Sequence, residues 1–141
     1  MDISASFGLC GSAMSVQRAK MDVITSNLAN ADVTRTPEGG PYRKKSVALI
    51  SEPLKDNFGR SLQDALKTVR VDEVTEDASP PRRVHNPTHP DADADGFVAM
   101  PNVNLMSEMA DMIAVSRAYE AMVTAFDATK NMALKTLEMG K

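Results

Sequence analysis

The chain has 141 residues, a formal net charge of −3 and only 4 % aromatic residues. This length fits one domain, or one small domain with extensions, and the charge is too small to indicate a nucleic-acid partner. The single cysteine, Cys10, excludes an internal disulfide and a structural zinc site, while ten methionines and no tryptophan suit long helices packed along Met and Ala side chains.

The N-terminus lacks the pattern of a secretory signal. An acid, Asp2, stands near its start and the first Lys or Arg is Arg18, whereas a Sec signal places positive charge before its apolar run. No stretch approaches the ~20 apolar residues that span a bilayer. We therefore expect no membrane-spanning segment and, for any export, a route that recognises another feature.

Residues 1–31 are predicted to form the first of two long helices. Apolar side chains recur there at alternating steps of four and three residues, with Gln17 in the one polar position. This heptad spacing is typical of a helix that packs along another helix. The predicted contact residues are Ile3, Phe7, Cys10, Met14, Met21, Ile24 and Leu28.

The opposite side of this helix is also apolar or small. Its residues are Ala5, Leu9, Ser12, Val16, Ala19, Val23 and Ser26. A helix that is apolar on two sides is usually buried on two sides. We expect the middle of the chain to be too small to cover both long helices, so further partners would be needed.

Residues 32–102 are predicted to form a loop and a small β-containing middle domain. The segment TRTPEGGPYRKK has the Pro and Gly content of an exposed loop, and YRKKSVALI and TVRVDEVTED are β-prone runs. A short helix between them would pass through Leu62, Ala65 and Leu66. The segment ASPPRRVHNPTHP is interpreted as an extended connection, since it contains four prolines.

An acidic run in this middle domain resembles half of a calcium-binding loop. Asp91, Asp93, Asp95 and Gly96 match its first positions, but Asn102 stands at position 12, where an EF-hand needs a bidentate Glu. Prolines on both sides also disfavour the flanking helices. We interpret the run as an exposed turn shaped by short acidic side chains and Gly.

No catalytic site or cofactor is predicted. His85 and His89 have the spacing of a zinc pair on a helix, but Pro87 lies between them and no HExxH motif is present. Two histidines, one cysteine and no Gly-rich phosphate loop provide no nucleophile and base set. We expect no small-molecule substrate.

Residues 103–141 are predicted to form the second long helix, with Asn102, Asn104 or Ser107 as its cap. Its heptad pattern has polar residues only at Ser116 and Lys130. The other predicted contact residues are Leu105, Met109, Met112, Tyr119, Val123, Phe126, Ala133 and Leu137.

Alanines line the other side of the second helix. They are Ala110, Ala114, Ala118, Ala121, Ala125 and Ala128. Two explanations remain open. Alanine is the best helix former and needs no contact, or the small residues admit a second helix closely. We favour the second and predict that Ala121 and Ala125 belong, with the apolar contact residues, to an assembly interface.

Two segments resemble a known family. SNLANADVT, residues 26–34, followed by PYRKK, resembles the N-terminal signature of bacterial flagellar rod and hook proteins. HPDADADGFVAMPNVNLMSEMADMIAVSRAYEAMV resembles the C-terminal half of the proximal-rod members, with Phe97 where the family often has Tyr and Met122 where Asn is common. The resemblance covers the whole chain and is strongest at residues 22–45 and 85–141.

The resemblance implies a mainly α protein whose terminal helices form a coiled-coil-like core. It implies a structural subunit of the proximal rod, the drive shaft between the inner-membrane ring and the hook, needed for motility. Such proteins are exported by the flagellar type III apparatus without a cleaved signal and lie in the periplasmic rod. The implied partners are copies of the chain, other rod proteins, base ring components and the export gate.

Two other function classes are compatible with parts of the sequence. A cytoplasmic helical adaptor or chaperone of a secretion system would bind partners reversibly, and cell fractionation separates it from a rod subunit. A metal-dependent enzyme or calcium sensor would use the two histidines and the acidic run, and calcium titration tests it.

Overall fold

The computed structural model describes residues 3–53 and 67–140, which form two long helices and two small antiparallel sheets. In chain order the elements are α1 (Ile3–Ala29), β1 (Lys45–Pro53), β2 (Lys67–Glu76), β3 (Arg82–His85), β4 (Phe97–Met100) and α2 (Leu105–Met139). The architecture is mainly α with a β-containing middle, which confirms the predicted fold class at that level. The helix predicted through Leu62, Ala65 and Leu66 lies outside the described residues.

Asparagine side chains mark the helix ends that meet the middle segment. Asn104 is the N-cap of α2, and its Oδ1 accepts the backbone N–H groups of Met106 and Ser107 at 3.1 and 3.3 Å. The start of a helix leaves such donors unpaired, so this cap stabilises the first turn. At the end of α1, Asn30 Nδ2 donates to the Ser26 carbonyl at 2.8 Å.

The helices α1 and α2 pack together in antiparallel directions. Phe7 near the start of α1 lies against Phe126 in the second half of α2, with ring centroids 5.0 Å apart. At the other end of the pair, Asn27 of α1 contacts Glu108 in the first turn of α2. The buried and half-buried line of α2 advances by four and three residues, as in a heptad: Glu108, Met112, Val115, Tyr119, Met122, Phe126, Thr129 and Ala133.

Every second residue of this line was predicted as a contact residue. At the other positions the buried or half-buried residue is the one immediately before the predicted residue. Met122 is half-buried, whereas the predicted Val123 is exposed. The predicted contact residues of α2 that are exposed are Leu105, Met109, Val123 and Leu137. The spacing of apolar residues alone misplaced the line because two inward positions, Glu108 and Thr129, are polar.

The hairpin of β1 and β2 covers another side of α1. Thr68 Oγ1 in β2 donates to Ser12 Oγ at 2.6 Å, and Ser12 belongs to the face of α1 predicted to lie opposite the helix seam. The strands have 9 and 10 residues, and such strands extend ~30 Å, as far as about 20 helical residues. The expectation that the middle segment is too small is therefore wrong for this part of α1.

Buried apolar side chains concentrate towards the end of α1 and the segment that enters α2. In the described part of the chain they are Val16, Ile24, Ala31, Val98 and Val103. The β3–β4 hairpin contributes Val98, which pairs with Val84 across the two strands. Among the described residues, no helix has the length and hydropathy required to cross a membrane.

Candidate assembly surface and its polar junction

Asn27, at the end of α1, is the centre of a buried hydrogen-bond cluster and is 1 % exposed. Its Oδ1 accepts the Lys45 backbone N–H and the Tyr42 hydroxyl, each at 2.9 Å. Its Nδ2 donates to the Lys45 carbonyl at 2.9 Å and to Glu108 Oε2 at 3.0 Å. A primary amide has two donor hydrogens and two acceptor lone pairs, so this side chain is fully satisfied.

Glu108 carries a carboxylate into the same cluster and is 2 % exposed. Its Oε1 lies 2.7 Å from Lys44 Nζ, whose side chain is 33 % exposed. This contact is an ion pair that lacks the geometry of a regular hydrogen bond. A buried carboxylate is costly without such a partner. We call Asn27, Tyr42, Lys44, Lys45 and Glu108 the polar junction.

The polar junction joins three segments that are distant in sequence: the end of α1, the start of β1 and the first turn of α2. Apolar periodicity gives no signal for the polar junction, because Asn and Glu are not part of an apolar pattern. A signal was nevertheless present. Asn27 lies in SNLANADVT, and Tyr42, Lys44 and Lys45 lie in PYRKK, the two motifs that carried the family resemblance.

The far end of the helix pair is held by apolar contacts. The rings of Phe7 and Phe126 meet edge to face at an interplanar angle of 61°, a geometry that aromatic pairs favour. With Phe7 opposite Phe126, Ile3 lies level with the turn around Lys130. The last turns of α2 therefore run past the first described turn of α1, and Leu137 there is 70 % exposed.

The side of α2 that points away from α1 is apolar and small along most of its length. We call its exposed residues the outer face of α2: Met106, Ala110, Ile113, Ala121, Ala125, Ala128 and Met132. Arg117 and Thr124 interrupt it. Met106 and Met132 are 76 % and 61 % exposed. An exposed, largely apolar surface of this kind is typical of an interaction site.

The structure divides the predicted interface residues into two groups. Those wholly or partly buried inside the chain are Phe7, Met14, Met21, Ile24, Leu28, Met112, Tyr119 and Phe126. Those exposed are Ile3, Leu105, Met109, Ala121, Val123, Ala125 and Leu137. The first group holds α1 in its place within the fold. The second remains a predicted surface for partners.

The acidic run forms the turn between β3 and β4. Asp93 Oδ1 accepts the backbone N–H groups of Phe97 and Asp95 at 2.8 and 3.1 Å, and its Oδ2 accepts from Arg83 Nη2 at 2.7 Å. The Phe97 N–H, followed by Arg83 and the Asp95 N–H, holds the pKa of Asp93 below its usual value. Gly96 has φ +77°, which a residue with a side chain rarely adopts. These bonds confirm the predicted turn.

No metal cluster is found in the described ranges, in which no three His, Cys, Asp or Glu residues come together as candidate ligands. Asp91, the first residue of the EF-hand match, has its Oδ2 on the Thr34 hydroxyl at 2.8 Å. His89 Nδ1 accepts the Asp91 backbone N–H at 3.1 Å. His89 therefore acts within the loop itself, whereas Asp91 links the loop to the segment that follows α1.

Comparison with known proteins adds the family. Residues 10–35 match the family model for flagella basal body rod proteins, and residues 94–139 match that for the C-terminal region of flagellar basal body rod FlgEFG proteins. The flagellar basal-body rod protein FlgC of Bacillus subtilis is 43 % identical, over 96 % of this chain and 97 % of the relative. Those of Yersinia enterocolitica and Salmonella typhimurium are 40 % and 38 % identical, each over 96 % of both chains.

The chain belongs to the FlgC family of flagellar basal-body rod proteins. It is a structural subunit of the flagellar rod, which confirms the function predicted from its sequence, and these relatives give no support to a cytoplasmic adaptor. The two segments matched by family models contain Asn27 and Glu108 respectively, so the polar junction joins the two halves of the chain that carry the family's features.

Proposed function

We propose that this FlgC-family chain builds the proximal rod, the drive shaft between the inner-membrane ring and the hook, and that cells need it for motility. In this proposal the outer face of α2 packs against helices of neighbouring subunits. The exposure of this face is the observation that carries the proposal: Ile113, in the first third of α2, is 55 % exposed, although Ile strongly favours burial. Alanines beside it leave room for a close helix neighbour.

The exposed contact residues of α2 extend this interface along one flank and at the far end. Met109 and Val123 lie beside the outer face, and Leu137 lies in the turns that run past α1. Two or more helices whose apolar contacts repeat at heptad spacing wind around one another as a coiled coil. We infer that the α1–α2 pair becomes one element of such a coiled-coil-like core in the assembled rod.

The proposed partners are copies of this chain and other rod proteins, with base ring and export-gate components at the foot of the rod. Export would proceed by the flagellar type III apparatus without a cleaved signal, to a position in the periplasmic rod. We propose no enzymatic activity and no cofactor for the chain. Glu108 in the polar junction and Asp91 and Asp93 in the β3–β4 turn bond to other parts of the chain and so stabilise the fold.

Incorporation into purified basal bodies tests this proposal. Ile113→Asp places a carboxylate in the outer face, and we expect normal expression, a folded monomer and absence from basal bodies. The matched control is Thr25→Asp, which puts the same group on the exposed polar side of α1 and should be incorporated. A basal body that contains Ile113→Asp in normal amount would contradict the assigned interface. Absence of the wild-type chain from all basal bodies would contradict the rod assignment.

A further inference from the structure

The side chain of Asn27 stands in for a neighbouring β-strand at the start of β1. Its Oδ1 accepts the Lys45 N–H and its Nδ2 donates to the Lys45 carbonyl, both at 2.9 Å. In an antiparallel sheet, the two residues of a hydrogen-bonded pair exchange both of their main-chain hydrogen bonds. The Asn27 side chain makes the same two bonds with the main chain of Lys45. Because Lys45 begins β1 and pairs with Glu76 of β2, Asn27 fixes where the β1–β2 hairpin starts relative to α1.

Glu108 contacts the start of β1 in two ways, through Asn27 and through Lys44. Its Oε2 accepts the remaining hydrogen of Asn27 Nδ2 at 3.0 Å, which leaves that amide one orientation in which all its bonds are made. Its Oε1 holds the ammonium group of Lys44, at 2.7 Å, in the residue immediately before β1. The first turn of α2 is thus linked to residues 44 and 45 through one amide and one ion pair.

We propose that Asn27 and Glu108 are positioning residues that couple the docking of the α2 start to the placement of the β1–β2 hairpin on α1. When α2 moves away, Asn27 loses a charge-assisted bond and Lys44 loses its counter-charge, so the start of β1 loses both links together. The helix pair and the hairpin then open as one cooperative unit. This coupling is a property of the single folded chain and does not depend on its position in a rod.

Hydrogen exchange of backbone amides in the full chain measures this coupling. Two segments are followed by mass spectrometry: residues 105–112 at the start of α2, and residues 45–50 in β1. Glu108→Gln keeps the side-chain volume and an acceptor oxygen but removes the charge that holds Lys44. Asn27→Asp keeps the acceptor for the Lys45 N–H, removes both donated bonds and places a second carboxylate beside Glu108.

We expect Glu108→Gln to raise exchange in both segments by at least about ten-fold, since a hydrogen bond to a charged group contributes enough stability for that change. Asn27→Asp should have the same effect or a larger one. The matched control is Asn30→Asp, one turn further along, because the Asn30 side chain donates to the Ser26 carbonyl of the adjoining helix and should alter exchange only locally. If Glu108→Gln affects residues 105–112 and leaves residues 45–50 unchanged, the coupling does not exist.

A second measurement on the unchanged protein keeps the test valid if a variant fails to fold. The slope of opening free energy against urea reports the surface exposed in each opening event. If the two segments are coupled, residues 45–50 and residues 105–112 show the same dependence of opening free energy on urea concentration. Their opening free energies should also be the same. Two different slopes in the wild-type chain would overturn the proposal, as would equal effects of Asn27→Asp and Asn30→Asp on β1.

Discussion

The two ends of the helix pair are held by different chemistry. At the junction end, Asn27 and Glu108 are almost fully buried, and directional bonds join three segments of the chain. At the far end, one edge-to-face contact of Phe7 with Phe126 is followed by turns of α2 with exposed Leu and Met side chains. Directional bonds specify one internal geometry, whereas apolar surface accepts any complementary neighbour.

This difference predicts a separation of roles along the molecule. Changes at the junction should lower the stability of the isolated chain, because every group there has its partner inside the chain. Changes to the exposed side chains of the far end and the outer face should act mainly on assembly, because much of the apolar surface there has no partner among the described residues of one subunit. Phe126 packs against Phe7 inside the chain, so a change there should act on both the fold and assembly. Three substitutions test this division, from the largest expected effect to the smallest, and a fourth, with the smallest effect, concerns a turn outside the helix pair.

Phe126→Asp should abolish motility while the protein is still made. Full burial of such an aromatic side chain contributes about 1.5–3 kcal/mol, and an assembly loses that amount in every copy. The substitution also puts a charge against Phe7. Swimming is measured on soft agar, and expression by immunoblot. Ser15→Asp, on the exposed polar side of α1, is the control and should swim. Motile Phe126→Asp cells would show that the far end does not limit assembly.

Lys44→Met should destabilise the isolated chain by about 2–3 kcal/mol. Breaking a fully buried ion pair typically costs 3–5 kcal/mol, and the partial exposure of Lys44 reduces that figure. Urea denaturation of the purified protein measures the effect. The adjacent lysine provides the control, because Lys45 Nζ lies 3.8 Å from Glu76, where both side chains are well exposed. Lys45→Met should cost at most about 0.5 kcal/mol. Equal losses would contradict a special role for Glu108.

Ala121→Leu should impair rod assembly and leave the stability of the monomer nearly unchanged. Ala121 is exposed on the outer face, so the single chain has room for the larger side chain. A close helix neighbour in the rod would not, and overpacking typically costs 1–3 kcal/mol. Motility and the melting temperature are measured together, with Ala78→Leu in the exposed connection after β2 as control. Normal swimming by Ala121→Leu cells would mean that these alanines are present as helix formers only.

Most of the secondary structure was predictable from the sequence. Heptad spacing gave both helices, β-prone runs gave β1 and β2 to within a few residues, and Asn104 was among three proposed caps. The strand β3 was not predicted, because the four prolines of ASPPRRVHNPTHP favoured an extended connection, and β4 was not predicted, because it directly follows the acidic run, which favoured an exposed turn. Short strands of four residues depend on pairing with each other more than on their own composition.

The packing was predicted less well, for a physical reason. The buried line of α2 includes Glu108, and periodicity assigns a charged residue to the surface. Its burial depends on Asn27, 81 residues away in the chain, and on Lys44. No local pattern reveals such partners. The covering of α1 by the β1–β2 hairpin likewise depends on how the start of β1 is fixed by Asn27.

The smallest expected effect concerns the β3–β4 turn, which lies outside the helix pair. The pKa of Asp93 is lowered, first by the Phe97 N–H and then by Arg83 and the Asp95 N–H. The folded turn therefore favours the ionised carboxylate, and this contribution is fully present above the ordinary value of 3.8 and is lost as pH falls through the lowered pKa. The Phe97 amide proton shift, followed by NMR from pH 5 downwards, should report this titration. Asp93→Asn should remove the transition. The control is Asp77→Asn, in another loop, where hydrogen bonds from Ser79 lower the pKa of Asp77. This variant should leave the Phe97 titration unchanged. A Phe97 shift that titrates unchanged in Asp93→Asn would mean that another acid governs the turn.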